Sequence, residues 1–153
     1  MSEPNSADLK AILAELRDTN KDKRRTAVMK LGMFGGNDAV RALIQTLENE
    51  FEDLIVRGRA AMMLGKLGDK TAVAPLMRAL DAPGYQTPLY AAEALGRLGD
   101  ARAIPPLLYI AENGRDRLQE TALTALSKLG YEGDDNENDE ATSEPDREVE
   151  PQI

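Results

Sequence analysis

Few side chains in this sequence could do covalent chemistry. It contains no cysteine and no histidine. That removes thiol nucleophiles, disulfides, Cys-based metal sites, the usual general base and the commonest nitrogen ligand of transition metals. Catalysis would fall to Asp, Glu, Tyr, Lys or Arg. Acid pairs such as Glu52-Asp53 exist, but adjacent acids ahead of a helical pattern read first as a helix cap. The acidic run 134–140 lacks the ligand spacing of an EF-hand. No catalytic, metal or cofactor residue is therefore assigned. The densest basic cluster is Lys21-Asp-Lys-Arg-Arg25. With Arg57 and Arg59 it forms either a patch for phosphate or an acidic partner, or a solvated helix start with structural arginines. No aromatic residue interleaves with it, so stacking on nucleic-acid bases has no support.

A second set of candidates emerges from a repeat. Leu64-Gly-Lys-Leu-Gly-Asp69 returns as Leu95-Gly-Arg-Leu-Gly-Asp100, with weaker copies at Leu31-Gly-Met-Phe-Gly35 and Leu126-Ser-Lys-Leu-Gly130. The leading leucines are 33, 31 and 31 residues apart, and a fixed period of that size indicates a solenoid. The motif is no phosphate cradle, because such glycines precede a helix after a strand, whereas these lie inside and at the end of a helical pattern. Positions five and two before each leucine and two after it form one stripe at i, i+3, i+7. It reads Thr26, Met29, Met33; Arg59, Met62, Lys66; Tyr90, Glu93, Arg97; Thr121, Thr124, Lys128. Three methionines and a tyrosine on a stripe that should be polar either pack between layers or form a recognition surface.

Each copy reads as two helices. Apolar spacing of three and four predicts first helices at about 8–19, 38–49 and 73–80, with Pro105-Pro106 in the first turn of the fourth. Second helices follow at about 20–34, 53–67, from Thr87-Pro88 onward, and from Asp116. Asn20 and Asp53 stand at helix starts, Thr87 reads as an N-cap with Pro88 at N1, and Asp116 as a further cap. Gly35-Gly36 and Gly68 stop helices. Small residues recur beside each leucine: Ala27, Ala60, Ala91, Ala122 four before, and Gly32, Gly65, Gly96, Ser127 one after. They let neighbouring layers approach closely, as a stack of helix pairs requires. Gly58, inside a helix, marks another close approach.

Charge divides the chain unequally. Residues 1–131 hold 18 Lys/Arg and 17 Asp/Glu, whereas residues 132–153 hold ten acids and one base. The body is neither polyanion nor strongly basic. The last segment has almost no apolar residues and is expected to be disordered. It either keeps the protein soluble, or folds back on Lys23, Arg24, Arg25 and Arg59 or competes with an acidic partner. No stretch approaches the ~20 apolar residues of a membrane span, and the first residues lack the pattern of a secretory signal, so a cytoplasmic location is expected.

The run from Val56-Arg57 through Ala60-Ala61, Leu64-Gly65, Leu67-Gly68-Asp69 and Ala72-Val73 to Leu76 resembles the short HEAT-like repeat named after phycobilisome bilin lyases. The likeness covers about residues 7–130. The arginine of that repeat matches at Arg24 and Arg57; Pro88 and Gln119 replace it in the later copies. Any ion-pair ladder it builds is expected to be interrupted there. The resemblance implies an all-α, right-handed solenoid of about four HEAT-like helix pairs (about 7–36, 37–69, 70–100 and 101–131) with second helices lining a concave wall, followed by the acidic tail 132–153. The expected function is a non-catalytic adaptor, scaffold or assembly factor that presents this wall to another protein. Arg25, Met29, Met33, Arg57, Arg59, Met62, Lys66, Tyr90, Glu93 and Arg97 are the expected contact residues. No cofactor, nucleic acid or membrane insertion is expected, and the chain would be a monomer alone or part of a hetero-complex. The alternatives are a phycobilisome-related bilin lyase or chaperone-like factor, or a regulatory subunit of a larger enzyme.

Overall fold

The computed structural model describes residues 6–133, and within them every regular element is helical. The chain runs α1 (Ser6–Glu15), α2 (Lys21–Phe34), α3 (Gly36–Glu48), α4 (Leu54–Leu67), α5 (Val73–Ala79), α6 (Gln86–Leu98), α7 (Ile104–Asn113) and α8 (Asp116–Lys128). Short 3₁₀ turns, Lys70–Ala72 and Ala101–Ala103, lead into α5 and α7. The acidic tail from residue 134 lies outside the described residues.

The helices form two layers. The second helices α2, α4, α6 and α8 pack side by side in that order, and α1, α3, α5 and α7 each pack on the partner that follows them. Neither layer can bury its apolar face without the other, and each pair leans on the next. The repeated leucines are the centre of this arrangement: Leu31, Leu64, Leu95 and Leu126 are all buried. Val28, Val56, Val73, Leu76 and Leu107 join them in one continuous core.

The small residues set the layer spacing. A methyl added at Gly65 would stand 2.8 Å from the Cα of Ala94, and one at Gly96 would stand 2.9 Å from the Cα of Ala125. At the first junction the methyl would meet the Met63 side chain over Gly32 instead. Each helix therefore lays the residue just before its leucine onto the glycine just after the leucine of the preceding copy. On α2 the residue before the leucine is Lys30, whose ammonium pairs with Glu15 at 3.0 Å. On α8 the residue after it is Ser127, which is exposed.

Ends and starts follow local chemistry. The Oδ1 of Asn20 accepts from the Asp22 N–H, and Asp53 accepts from Ile55 and Val56. Gly68 and Gly99 close α4 and α6 in the left-handed conformation, which glycine adopts without a Cβ penalty. Three starts and stops differ from the sequence reading. Helix α1 stops at Glu15 rather than near residue 19, and the carbonyls of Asp18 and Thr19 accept from Arg24 instead. Helix α6 begins at Gln86, so Pro88 occupies its third position, still within the turn where no N–H needs an intrahelical partner. Thr87 is buried and its hydroxyl donates to the Leu54 carbonyl at 3.4 Å, tying two repeats together. Asp116 makes no capping bond; Arg115 stands at the cap position, and Asp116 takes φ 51°.

Candidate functional site

The close nesting of second helices puts the predicted stripe on one shared face. Met33, Lys66, Arg97 and Lys128 are exposed, while Met29, Arg59, Met62, Tyr90 and Glu93 are half-buried. Met33 keeps 85% of its surface in solvent, unusual for a methionine in a regular helix. Met29, Met62 and Tyr90 also pack against the core, so these three serve layer packing and the surface together. Met62, Lys66, Tyr90, Glu93 and Arg97 line one shallow depression between α4 and α6. Arg97 reaches Glu93 at 3.8 Å, a loose i, i+4 pair in solvent. Among the described residues no ion pair engages Arg59 or Lys66. The face thus offers apolar side chains and uncommitted cations without convergent acid–base groups.

Two expected contact residues do not belong to this face. Arg57 is buried at 5% exposure. Its Nε donates 3.0 Å to the carbonyl of Leu47, near the end of α3. A helix end leaves carbonyls without intrahelical partners, and Arg57 satisfies one of them. Arg25 is likewise committed. Its Nε and Nη2 donate to the Asp53 carboxylate at 3.0 and 3.1 Å, and its Nη1 to Asp22 at 3.2 Å. The bidentate bond to Arg25, helped by the N–H groups of Val56 and Ile55, holds the Asp53 carboxyl below its ordinary range, and the same contact raises the Arg25 guanidinium. Arg24 forks onto Glu52 at 2.9 to 3.2 Å. Within the cluster at 21–25, Arg24 and Arg25 thus clamp the first two repeats together, and Glu52-Asp53 is the acidic half of the clamp as well as a cap.

At the position of the repeat's arginine, Arg24 makes an ion pair, and among the described residues none is made at Arg57, Pro88 or Gln119. Arg57 makes a carbonyl bond and no ion pair, and Gln119 makes the same kind of bond, Nε2 to the Ala111 carbonyl at 2.9 Å. An amide can replace a guanidinium here because one N–H is enough. Only Pro88, which has no side-chain donor, breaks the series. Sequence reasoning passed over Phe51, whose ring is 98% exposed between α3 and α4. An aromatic set between Glu50 and Glu52 in a turn was the available signal.

Stacked helix pairs with a continuous core define an α-solenoid. The chain belongs to the HEAT repeats, which match residues 9–87; the PBS lyase HEAT-like repeat matches residues 88–108. No curated protein matches the chain. Among solved structures, it is similar to the complex of CpcE and CpcF of phycocyanin lyase from Nostoc sp. PCC7120, with 28% identity and a TM-score of 0.71 over 84% of this chain and 56% of that one. Human deoxyhypusine hydroxylase is similar at 24% identity and a TM-score of 0.70, covering 84% and 46%. An engineered protein follows at 18% and 0.59, covering 80% and 62%; these last two likenesses concern the fold alone. The chain spans about half the length of the first two structures.

Proposed function

We propose that this chain is a protein-binding module without catalytic chemistry of its own, and that its second-helix face receives another protein as an adaptor, scaffold or assembly factor would. The observation that carries this reading is the row Met33, Lys66 and Arg97, exposed in successive repeats beside half-buried Met62 and Tyr90. These exposed side chains are not needed for the stack, and methionines beside cations suit contact with a mixed apolar and acidic surface. Tagged protein recovered from native lysate, with bound proteins identified by mass spectrometry, tests it. The triple variant Met33→Gln, Lys66→Gln, Arg97→Gln should lose the captured partner while melting as wild type does. Capture that survives the triple variant refutes the role of this face.

A second reading rests on the likeness to the two-chain phycocyanin lyase complex. Here the partner is a second repeat chain, and the client is a protein that receives a tetrapyrrole. Co-expression with a bilin source and an acceptor protein would then give a chromoprotein, seen as visible absorbance that depends on this chain. Capture of one stable enzyme chain, without bilin, would point instead to a regulatory subunit.

A further inference from the structure

The clamp between the first two repeats has no counterpart between the second and third. Aligned on the leucines, Glu52 and Asp53 correspond to Pro83 and Gly84, and Arg25 corresponds to Gly58. Arg24 alone keeps its equivalent, Arg57. The guanidinium of Arg24 divides its bonds in two directions: Nη1 goes to the carbonyls of Asp18 and Thr19, while Nε and Nη2 go to the Glu52 carboxylate. Arg57 makes a carbonyl bond only, and makes it through Nε, to Leu47, the nitrogen that faces the carboxylate on Arg24. Its Nη1 is buried and has no hydrogen-bond partner, alone in this among side-chain atoms of the described residues. A buried charged donor left unpaired is costly, so native proteins normally supply a partner.

Arg57 lines an open groove of ≈ 900 Å³ between the ends of α3 and α5. Pro83, the residue that replaces the missing acid, lines it too, and so does the fully exposed ring of Phe51. Ala79 and Pro75 make one wall apolar. Three acids complete the lining: Glu50, Asp81, and Glu48, which is paired with Arg78.

We infer that this groove binds a carboxylate side chain of a partner polypeptide, which pairs with the Arg57 guanidinium beside the nitrogen already committed to Leu47. The surrounding acids restrict the partner further. A strongly acidic segment, such as residues 132–153 of this chain, would be repelled by Glu50 and Asp81. A segment with one acid flanked by apolar and then basic residues satisfies all parts: carboxylate to Arg57, apolar side chains to Phe51 and Pro75, cations to the acidic rim. The site lies at the loop edge of the stack, and it stands or falls independently of the second-helix face.

The test uses the full chain, ¹⁵N-labelled, and an acetylated, amidated peptide Lys-Leu-Glu-Leu-Lys with its Gln-for-Glu counterpart. The Nε–H signal of Arg57 should shift on titration with the Glu peptide, and the Gln peptide should bind at least tenfold more weakly. Arg57→Gln should bind the Glu peptide at least tenfold more weakly than wild type does. Gln119 shows that glutamine at this register keeps the carbonyl bond, so the variant retains its fold and its melting curve reports this directly. Equal affinity for the two peptides, no binding of either, or undiminished binding by a folded Arg57→Gln protein would each overturn the inference.

Discussion

The nesting of glycine under alanine makes a prediction whose sign opposes ordinary helix propensity. In an isolated helix, replacing glycine by alanine gains ~1 kcal/mol. Gly65 lies within α4, and α4 and α6 form the most extensive helix contact of the described residues. The new methyl would meet both the Cα and the Cβ of Ala94 at 2.8 Å. Backbone cannot rotate away as a side chain can, so α6 must move outward along its length. Overpacking of this kind costs ~1–3 kcal/mol, and a rigid contact belongs at the upper end. The net is a loss of about 2 kcal/mol, a fall of roughly 8 °C in Tm for a domain of this size. Gly58→Ala is the internal control. Its methyl would stand 3.1 Å from the Cβ of Gln86, an exposed residue in the first turn of α6, and a shift of a few tenths of an ångström relieves it. That variant should melt within about 2 °C of wild type or above it. Thermal melts followed by circular dichroism at 222 nm, with urea titration for ΔG, measure both. If Gly65→Ala melts as high as Gly58→Ala, the layer spacing is not set by these glycines and the reasoning fails.

Other outcomes follow from the same structure. Glu52→Gln should cost about 1–3 kcal/mol, because it strips the charge from a largely buried bidentate partner of Arg24; Glu93→Gln, in a loose solvent pair, should cost under ~0.5 kcal/mol, and equal urea midpoints would contradict the clamp. Acid should weaken the fold through Asp53 and Asp100. Asp53 is held low mainly by Arg25, and Asp100 is brought to about 2 by Arg102, through its side chain and its backbone N–H. Both carboxyls are depressed in the folded state, so their stabilisation is complete above the ordinary value of 3.8 and is lost as pH falls below it, for Asp100 toward about 2. The double variant Asp53→Asn, Asp100→Asn should therefore lose less Tm between pH 6 and pH 2.5 than wild type, and parallel losses would refute this. Met33→Gln alone should shift stability by under ~0.5 kcal/mol, as exposed changes do, while weakening any partner bound to the second-helix face in a pull-down titration.

Much of the architecture was legible because the period places chemically equivalent residues in equivalent places. Leu31, Leu64, Leu95 and Leu126 announced the core by their spacing, and Gly68 and Gly99 announced helix ends by type. Burial of charge was not legible in the same way. Arg57 sits in a pattern that a solvated arginine would also satisfy, and its burial depends on where α3 releases the Leu47 carbonyl. Arg25 and Asp53 stand 28 residues apart, and their pairing depends on the offset between two repeats, which no local spacing encodes. Thr87 reads as an N-cap, but it lies inside α6, and its hydroxyl donates to the Leu54 carbonyl of the neighbouring repeat. The stripe was found because exposure follows the helical period; which of its members also pack inward depended on side-chain length and on the layer distance fixed by Gly32, Gly65 and Gly96.

The stacking rule that joins α2 to α4, α4 to α6 and α6 to α8 also bears on assembly between molecules. Every junction uses one polarity: a glycine on the earlier helix receives the residue before the leucine on the later one. Such a head-to-tail contact does not close on itself, and repeated between copies it would give an open fibre. The α8 end offers a receptive surface, with small Ser127 and exposed Leu123. At the α2 end the entering residue is Lys30, long, charged and held by Glu15. Burying that pair against Ser127 would strip both charges of water without a new partner. Lys30, with its bond to Glu15, is therefore the pair that a second copy stacking on the α2 end by this rule would have to bury.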